Sequence, residues 1–380
     1  MENSLKKTRN PYADMVRGFA IILVVLGHCI QEGSGLAFRT NQGYWSDELY
    51  QFIYSFHMPL FIMLSGYFAW SSIHRAKTDY EEKKQSQGFL KALRSLLPGW
   101  AKRSFSLLFP ILFWTLADQL RICISNIWQG YPNPDFKNLV ISTLLSFAGN
   151  LWFLWVLWFC YTVTLIMHVI FKDSWLLYLL GFLMFFITWD GLWLGNAKFL
   201  FPFYLLAFYA NSWILKQKDK KILSDNTFSP EKMVPFKTLL LFLLGSGIIY
   251  GILLFFYNES SFIYLTGYKL LEKEMLLQLG IDFFRFFIGL AGCLFFLLFW
   301  YIISKKIPYS FPALRFLGKN SLGIYILSGY AIIFGVQPLA DSLQPSYFIN
   351  LLETLAVTLI CSLLSVVFSR IPMIRKSIGK

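Results

Sequence analysis

Residues 13–31 read ADMVRGFAIILVVLGHCIQ. Every residue between Arg17 and His28 is apolar or glycine. A run of this length is what a helix needs to cross the hydrocarbon core of a bilayer. It also carries three ionisable groups. Arg17 and His28 stand eleven positions apart, which at 100° per residue falls within about 20° of three full turns. Asp14 precedes Arg17 by three. All three share one stripe of the helix, with Arg17 and His28 separated by ~16 Å along the axis. The other faces carry Ile, Leu, Val and Phe. Charge inside a bilayer is costly, so such a stripe faces a cavity and marks candidate functional residues. The bland alternative is a snorkelling arginine and a hydrogen-bonded core histidine. The segment reads as a span rather than a cleaved leader: Asp14 and Arg17 sit at its start and no small-x-small site follows His28.

The rest of the chain is built alike. Of 380 residues, 56% are hydrophobic, 19% aromatic and only 14% charged. Soluble chains run near 45–50% apolar and about 25% charged. This composition excludes a soluble enzyme, a disordered chain and a fibrous protein. Apolar runs near 20 residues occur at 13–31, 50–70, 106–127, 150–171, 174–190, 197–215, 237–257, 277–303, 321–340 and 347–369. The expected fold is an all-α, polytopic membrane helical bundle of about ten transmembrane helices, forming one domain over 1–380. A half-apolar stretch at 139–147 reads as interfacial or re-entrant.

Lys and Arg set the orientation. With a cytoplasmic N-terminus, 26 of the 34 fall in cytoplasmic segments, chiefly 71–105 and 216–237. Only Arg39, Lys137, Lys198, Lys269 and Lys273 fall outside, and Arg17, Arg121 and Arg285 lie within spans. Both termini are therefore expected in the cytoplasm of a cell-membrane protein. The net charge of +13 belongs to these loops rather than to nucleic acid.

The second run, LYQFIYSFHMPLFIMLSGYF, places His57 at a depth similar to His28, beside Pro59. Two histidines at matched depth on consecutive helices suggest a shared polar site, although a structural histidine near a proline kink fits as well. Asp118/Arg121 and Asp282/Arg285 are spaced i, i+3 and read as self-neutralising structural pairs. His74 and His168 lie near membrane edges, Glu353 near the outer end of the last span. The tryptophans of LWFLWVLWF read as packing or lipid-facing, with Trp152 a candidate pocket residue. The five cysteines lie far apart, with no C-x-x-C pair, so neither a disulfide nor a metal site is expected. No G-x-S-x-G, H-E-x-x-H or phosphate-binding glycine loop occurs.

RGFAIILVVLGH at 17–28 resembles the R-x10-H signature of the acyltransferase-3 family of membrane acyltransferases. FHMPLFIMLSGYF resembles that family's second-span pattern, and its His-Met-Pro form resembles the fucose 4-O-acetylase-like branch. GNLWFLWVLW resembles the central W-F-L block, and LGKNSLGIYIL at 317–327 the block near the C-terminus. The motifs occur in the family's order and cover essentially the whole chain. Two departures stand out. Where the family often carries R-x-x-R before the third span's proline, this chain reads Lys102-Arg103-Ser104-Phe105-Ser106 ahead of Pro110. Where many relatives place a histidine after I-Y-x-L, Ser328 stands, which shifts weight to His28.

The resemblance implies an acyl donor, usually acetyl-CoA, used from the cytoplasm, and no permanently bound cofactor. The acceptor it implies is a hydroxyl of a surface glycan or lipid-linked oligosaccharide. A hydroxyl is a poor nucleophile, and a positioned histidine can take its proton as it attacks a thioester. His28 is the expected general base, Arg17 and Asp14 organise the donor channel, and His57 orients the acceptor or stabilises the oxyanion. With no paired serine or cysteine nucleophile in view, direct transfer is favoured. Lys91, Arg94, Lys102 and Arg103 form a basic edge suited to the phosphates of coenzyme A. The positive-inside bias alone would also explain that edge. A transporter or flippase for a lipid-linked sugar would suit ten spans with buried Asp/Arg pairs, although no inverted repeat is visible. A non-catalytic membrane scaffold would leave the Asp14/Arg17/His28 stripe unexplained.

Overall fold

The structure is a computed structural model. It describes residues 9–172, 174, 176, 179, 190–224, 235–268, 274–307 and 311–380, and for 216–224 the backbone alone. Every regular element among them is helical. The principal helices are α1 (Pro11–Gly33), α2 (Glu48–Tyr54), α3 (His57–Gln87), α4 (Phe89–Gln129), α5 (Phe136–Gly149) and α6 (Trp152–Leu165). They continue with α7 (Leu194–Ser224), α8 (Phe236–Phe255), α9 (Met275–Lys306), α10 (Pro312–Ala331), α11 (Tyr347–Phe368) and α12 (Pro372–Ser377).

Among the described residues, eight helical segments are long and apolar enough to cross a membrane, and each coincides with an expected span. The expected span at 197–215 is α7, a 31-residue helix diluted by Asn196, Lys198 and Asn211. The expected span at 174–190 lies largely outside the described residues. The stretch at 139–147 belongs to α5, whose 14 residues are too few to span. Large apolar side chains such as Leu241, Phe242, Leu276 and Leu363 are exposed. On helices of this hydropathy such faces suit lipid rather than water.

Two features go beyond the pattern of apolar runs. The polar segment 71–105 is helical: it comprises the charged end of α3 and the start of α4, which meet at Gly88 with φ +88°. Glycine is needed there because other residues pay for a positive φ. The 41 residues of α4 span ~60 Å, about twice a hydrocarbon core, so both helices extend beyond it. The second span is broken. α2 ends at Tyr54, Ser55 and Phe56 turn, and α3 begins at His57. Pro59 explains the break, since its ring removes an N–H and crowds the carbonyl of residue 55.

The chain divides into two compact units. The first contains the described residues within 1–61, 229–258 and 287–367, with α1 almost wholly buried in it. Asn10 caps α1 by accepting from the Ala13 amide, and Pro11 occupies the first turn, where no N–H is needed. α1 and α10 touch backbone to backbone. Gly18 lies on the Leu314 carbonyl, and Gly318 lies on the Asp14 carbonyl. These contacts centre the close approach near residues 16 and 316, and Gln337, just beyond α10, donates to Glu32 near the end of α1 at 2.9 Å, so the two helices run in the same direction. Gly318→Val should lower thermal stability by about 1–3 kcal/mol, because the backbones would have to separate. Gly329→Ala, where a Cβ meets open space, should leave the melting temperature unchanged or slightly higher.

The second unit contains the described residues within 62–228, 259–286 and 368–380. Gly66 of α3 packs on the backbone of Tyr204 in α7, and the Asn211 amide donates to the Tyr67 carbonyl at 2.6 Å. α4 and α6 are joined by indole donors: Trp100 to Thr162 Oγ1 at 3.1 Å and Trp158 to Ser104 Oγ at 2.9 Å. Trp155 donates to the Phe147 carbonyl and stacks on Trp193. Three tryptophans of this region thus hold helices together through their N–H groups, while Trp152 sits edge-on to Tyr264.

Candidate active site

The site in the first unit is built on α1. Asp14 is 1% exposed. A buried carboxylate needs cationic partners, and Asp14 has two. Arg9 Nε lies 3.0 Å from Oδ1 and 2.8 Å from Oδ2, and Arg17 Nη1 lies 3.6 Å from Oδ1. Sequence reasoning paired Asp14 with Arg17 by helical spacing. It missed Arg9, because that residue precedes the helix and no periodicity places it.

His28 is half-buried on the outer half of α1. No described residue hydrogen-bonds to it. His57 differs. It is 3% exposed, and its Nδ1 lies 2.7 Å from the Ile53 carbonyl. A carbonyl only accepts, so Nδ1 carries the proton and Nε2 is left with a lone pair. A neutral His57 in this tautomer has no second N–H to give an oxyanion. It can accept from a hydroxyl.

Two contacts set α2 antiparallel beside the outer half of α1. Tyr50 Oη lies 3.4 Å from Gln31 Oε1, and a methyl on Gly27 would fall 2.9 Å from Tyr54 Cε2. This register puts His28 level with Ile53, and His57 one turn deeper, by ~6 Å. The imidazoles are therefore offset rather than at matched depth, and they lie within electrostatic range of each other. Tyr54 sits beside His57. Its ring rests on Gly27, stacks on Tyr50 at 3.9 Å, and meets His57 edge-on at 4.8 Å. It keeps accessible surface. Sequence reading passed over Tyr54 and Gly27, since only packing brings them together. Tyr44 and Trp45 continue the aromatic cluster from Tyr50 toward the outer loop.

Ser328 is 1% exposed, and its hydroxyl donates to the Tyr325 carbonyl at 3.1 Å. The α1–α10 register puts it level with His28. Its proton is engaged by its own helix, and no basic group stands at that position. Glu353 presses on Gly33, and its buried Oε2 has no hydrogen-bond partner among the described residues.

The basic residues Arg94, Lys102 and Arg103 belong to α4, in the second unit, and all three are exposed. They do not share one face. At 100° per residue Arg94 and Lys102 fall within 80° of each other, but Arg103 points about 180° from Arg94. Its guanidinium lies over the Tyr161 ring at 5.7 Å. Elsewhere in this unit His168 is buried on a π-turn, edge-on to Trp70 and Phe208, with the His74 ring at 6.0 Å. Asp282 and Arg285 are both buried and bonded at 2.8 Å, whereas the Asp118/Arg121 pair is part-exposed. Among the described residues no three His, Cys, Asp or Glu side chains gather as a metal site would require.

Comparison with known proteins carries the site into a family. Two nodulation proteins NolL are similar to parts of this chain. The one from Sinorhizobium fredii (strain NBRC 101917 / NGR234) is 33% identical over 147 residues, covering 37% of this chain and 32% of the relative. The one from Mesorhizobium japonicum (strain LMG 29417 / CECT 9101 / MAFF 303099) is 28% identical over 143 residues, covering 37% and 31%. The chain thus matches about a third of the length of these curated relatives. No solved structure matches. The family model described as an acyltransferase domain matches residues 10–370, from the cap of α1 to the end of α11 and just beyond. A helical membrane chain matched by this model over nearly its whole length belongs to the acyltransferase-3 family.

Proposed function

We propose that the protein is a membrane O-acyltransferase that moves an acetyl or similar short acyl group from acyl-CoA to a hydroxyl of a surface or lipid-linked glycan. The observation that carries this reading is His28: a half-buried imidazole with no described hydrogen bond, in line with the Asp14-anchored Arg17. The donor enters from the cytoplasm and its thioester reaches the level of His28. The acceptor hydroxyl approaches from the outer side. His28 takes the hydroxyl proton as the oxygen attacks the thioester carbonyl carbon. The C–S bond breaks, and the proton passes from His28 to the departing thiolate, giving the ester and free coenzyme A. His57 Nε2 accepts a hydrogen bond from the acceptor and orients it. The basic edge of α4 draws the anionic donor toward the membrane by long-range attraction, which salt screens.

This reading is tested with the purified full chain in lipid, supplied with labelled acetyl-CoA and surface glycan from a strain lacking the protein. Transfer of label to the glycan, with ester chemistry, is expected. No transfer to any glycan fraction, together with no coenzyme A binding, would overturn it. A companion substitution tests the role of His57. His57→Ala should raise the acceptor KM by about tenfold and leave the donor KM unchanged, in keeping with the loss of one hydrogen bond in a dry site. Wild-type acceptor kinetics in that variant would return His57 to packing.

A further inference from the structure

Arg9 is not one of the α4 basic residues, and its geometry is more specific than theirs. It meets Asp14 through Nε alone, at 3.0 and 2.8 Å. No described hydrogen bond uses Nη1 or Nη2, and the side chain is 54% exposed. A guanidinium held at Nε by a buried carboxylate leaves its two Nη groups as a pair of donors. That fork matches two oxygens of a phosphate. The anchor itself does not move, since Asp14 is buried and its backbone carbonyl is pressed against Gly318.

The surroundings favour an anion. Arg17 approaches the same carboxylate at 3.6 Å, so a second guanidinium stands beside the first. α10 touches α1 at Gly318, which brings the neighbouring exposed Lys319 to the same end of the helix pair. No described acidic residue other than Asp14 is in contact with Arg9. Asp14 lies ~21 Å below His28 by helix rise. A ligand whose phosphates rest at Arg9 and whose reactive end reaches His28 must therefore be long, with anionic groups at one end only. Acyl-CoA has that form.

We propose that the outward fork of Arg9, fixed by Asp14 beside Arg17 and Lys319, receives the phosphates at the nucleotide end of the acyl-CoA donor. The inference rests on the acyl-CoA reading above and deepens it by separating binding from attraction. Arg9 makes the directed contact, and the α4 residues supply only the field.

The test measures coenzyme A binding to the full chain in lipid nanodiscs by calorimetry, at low and high salt. Arg9→Gln should weaken coenzyme A by about tenfold or more, as expected for a charge-assisted bidentate contact. Arg9→Lys should restore only part of this, because an ammonium is a point charge. Lys319→Gln touches no described partner and so is safe for folding. It should weaken binding about threefold at low salt and less at high salt. Pantetheine, which lacks the nucleotide, should show no difference between wild type and either variant. Arg94→Gln with Lys102→Gln should lose affinity only at low salt. Full coenzyme A affinity in Arg9→Gln and Lys319→Gln, with wild type binding normally, would overturn this assignment and leave the transferase reading standing. No binding by wild type would overturn both.

Discussion

His28→Ala is expected to lower acyl transfer by about 10²–10⁴, the usual cost of losing one general base. Coenzyme A affinity, folded yield and melting temperature should stay at wild-type values. The separation of these readouts follows from the geometry. No described residue hydrogen-bonds to His28, so removing the imidazole orphans no partner. It is only half-buried, so it is not a keystone of packing. The donor's phosphates, in the assignment above, lie at the other end of α1. The loss should fall on kcat rather than on either KM, because proton transfer is made only in the transition state. His28→Gln, of similar shape but without a titrating nitrogen, should be equally inactive. Near-normal turnover in a folded His28→Ala protein would remove the general-base mechanism and leave the family assignment intact.

The second large effect is on stability. Arg285 is 2% exposed and is the centre of a buried clamp. It donates to the carbonyls of Ser261 at 2.8 Å, Gly267 at 2.7 Å, Ser260 at 3.1 Å and Phe262 at 3.1 Å. It also donates to Asp282 Oδ1 at 2.8 Å and to Thr266 Oγ1. One side chain thus binds the carbonyls of the 260–267 turn to α9, and all five N–H groups of a guanidinium are employed. Close by, Asp190 accepts from both Lys198 and the Tyr268 amide. Arg285→Ala would strand the Asp282 carboxylate and several carbonyls without water. Breaking a buried pair from one side typically costs about 3–5 kcal/mol. The expected result is a large fall in melting temperature and in folded yield. Arg285→Lys should recover little, since an ammonium cannot reach carbonyls set in a fan. Asp282→Asn in the Arg285→Ala background should recover part of the loss by removing the stranded charge, and a thermal double-mutant cycle would read that coupling. A melting temperature within a degree or two of wild type for Arg285→Ala would show the clamp to be dispensable.

The sequence spacing read Asp282 and Arg285 as a structural pair. The clamp has that form, but its reach to residues 260–267 was not legible, because backbone carbonyls leave no trace in side-chain patterns. The same division runs through the candidate site. Asp14, Arg17 and His28 could be aligned from the sequence because they share one helix and helical periodicity is local. The bundle's class and eight of its membrane-crossing segments were legible for a related reason. A bilayer demands long apolar runs with internally satisfied backbones, and composition records that demand directly.

What required tertiary structure was every relation between helices. The one-turn offset of His57 depends on how Pro59 breaks the second span and on the register of α2 against α1. Arg9 joins Asp14 from outside the helix, where no repeat predicts a partner. Tyr54 packs against α1 only because Gly27 has no side chain to keep it away. Arg94 and Arg103 looked like neighbours on a basic loop, and a continuous helix turns them to opposite faces. A sequence fixes which residues a single helix presents together. Which of them meet a second helix is decided by the close approach of backbones at positions such as Gly18 and Gly318, where packing selects one register from many that periodicity alone would allow.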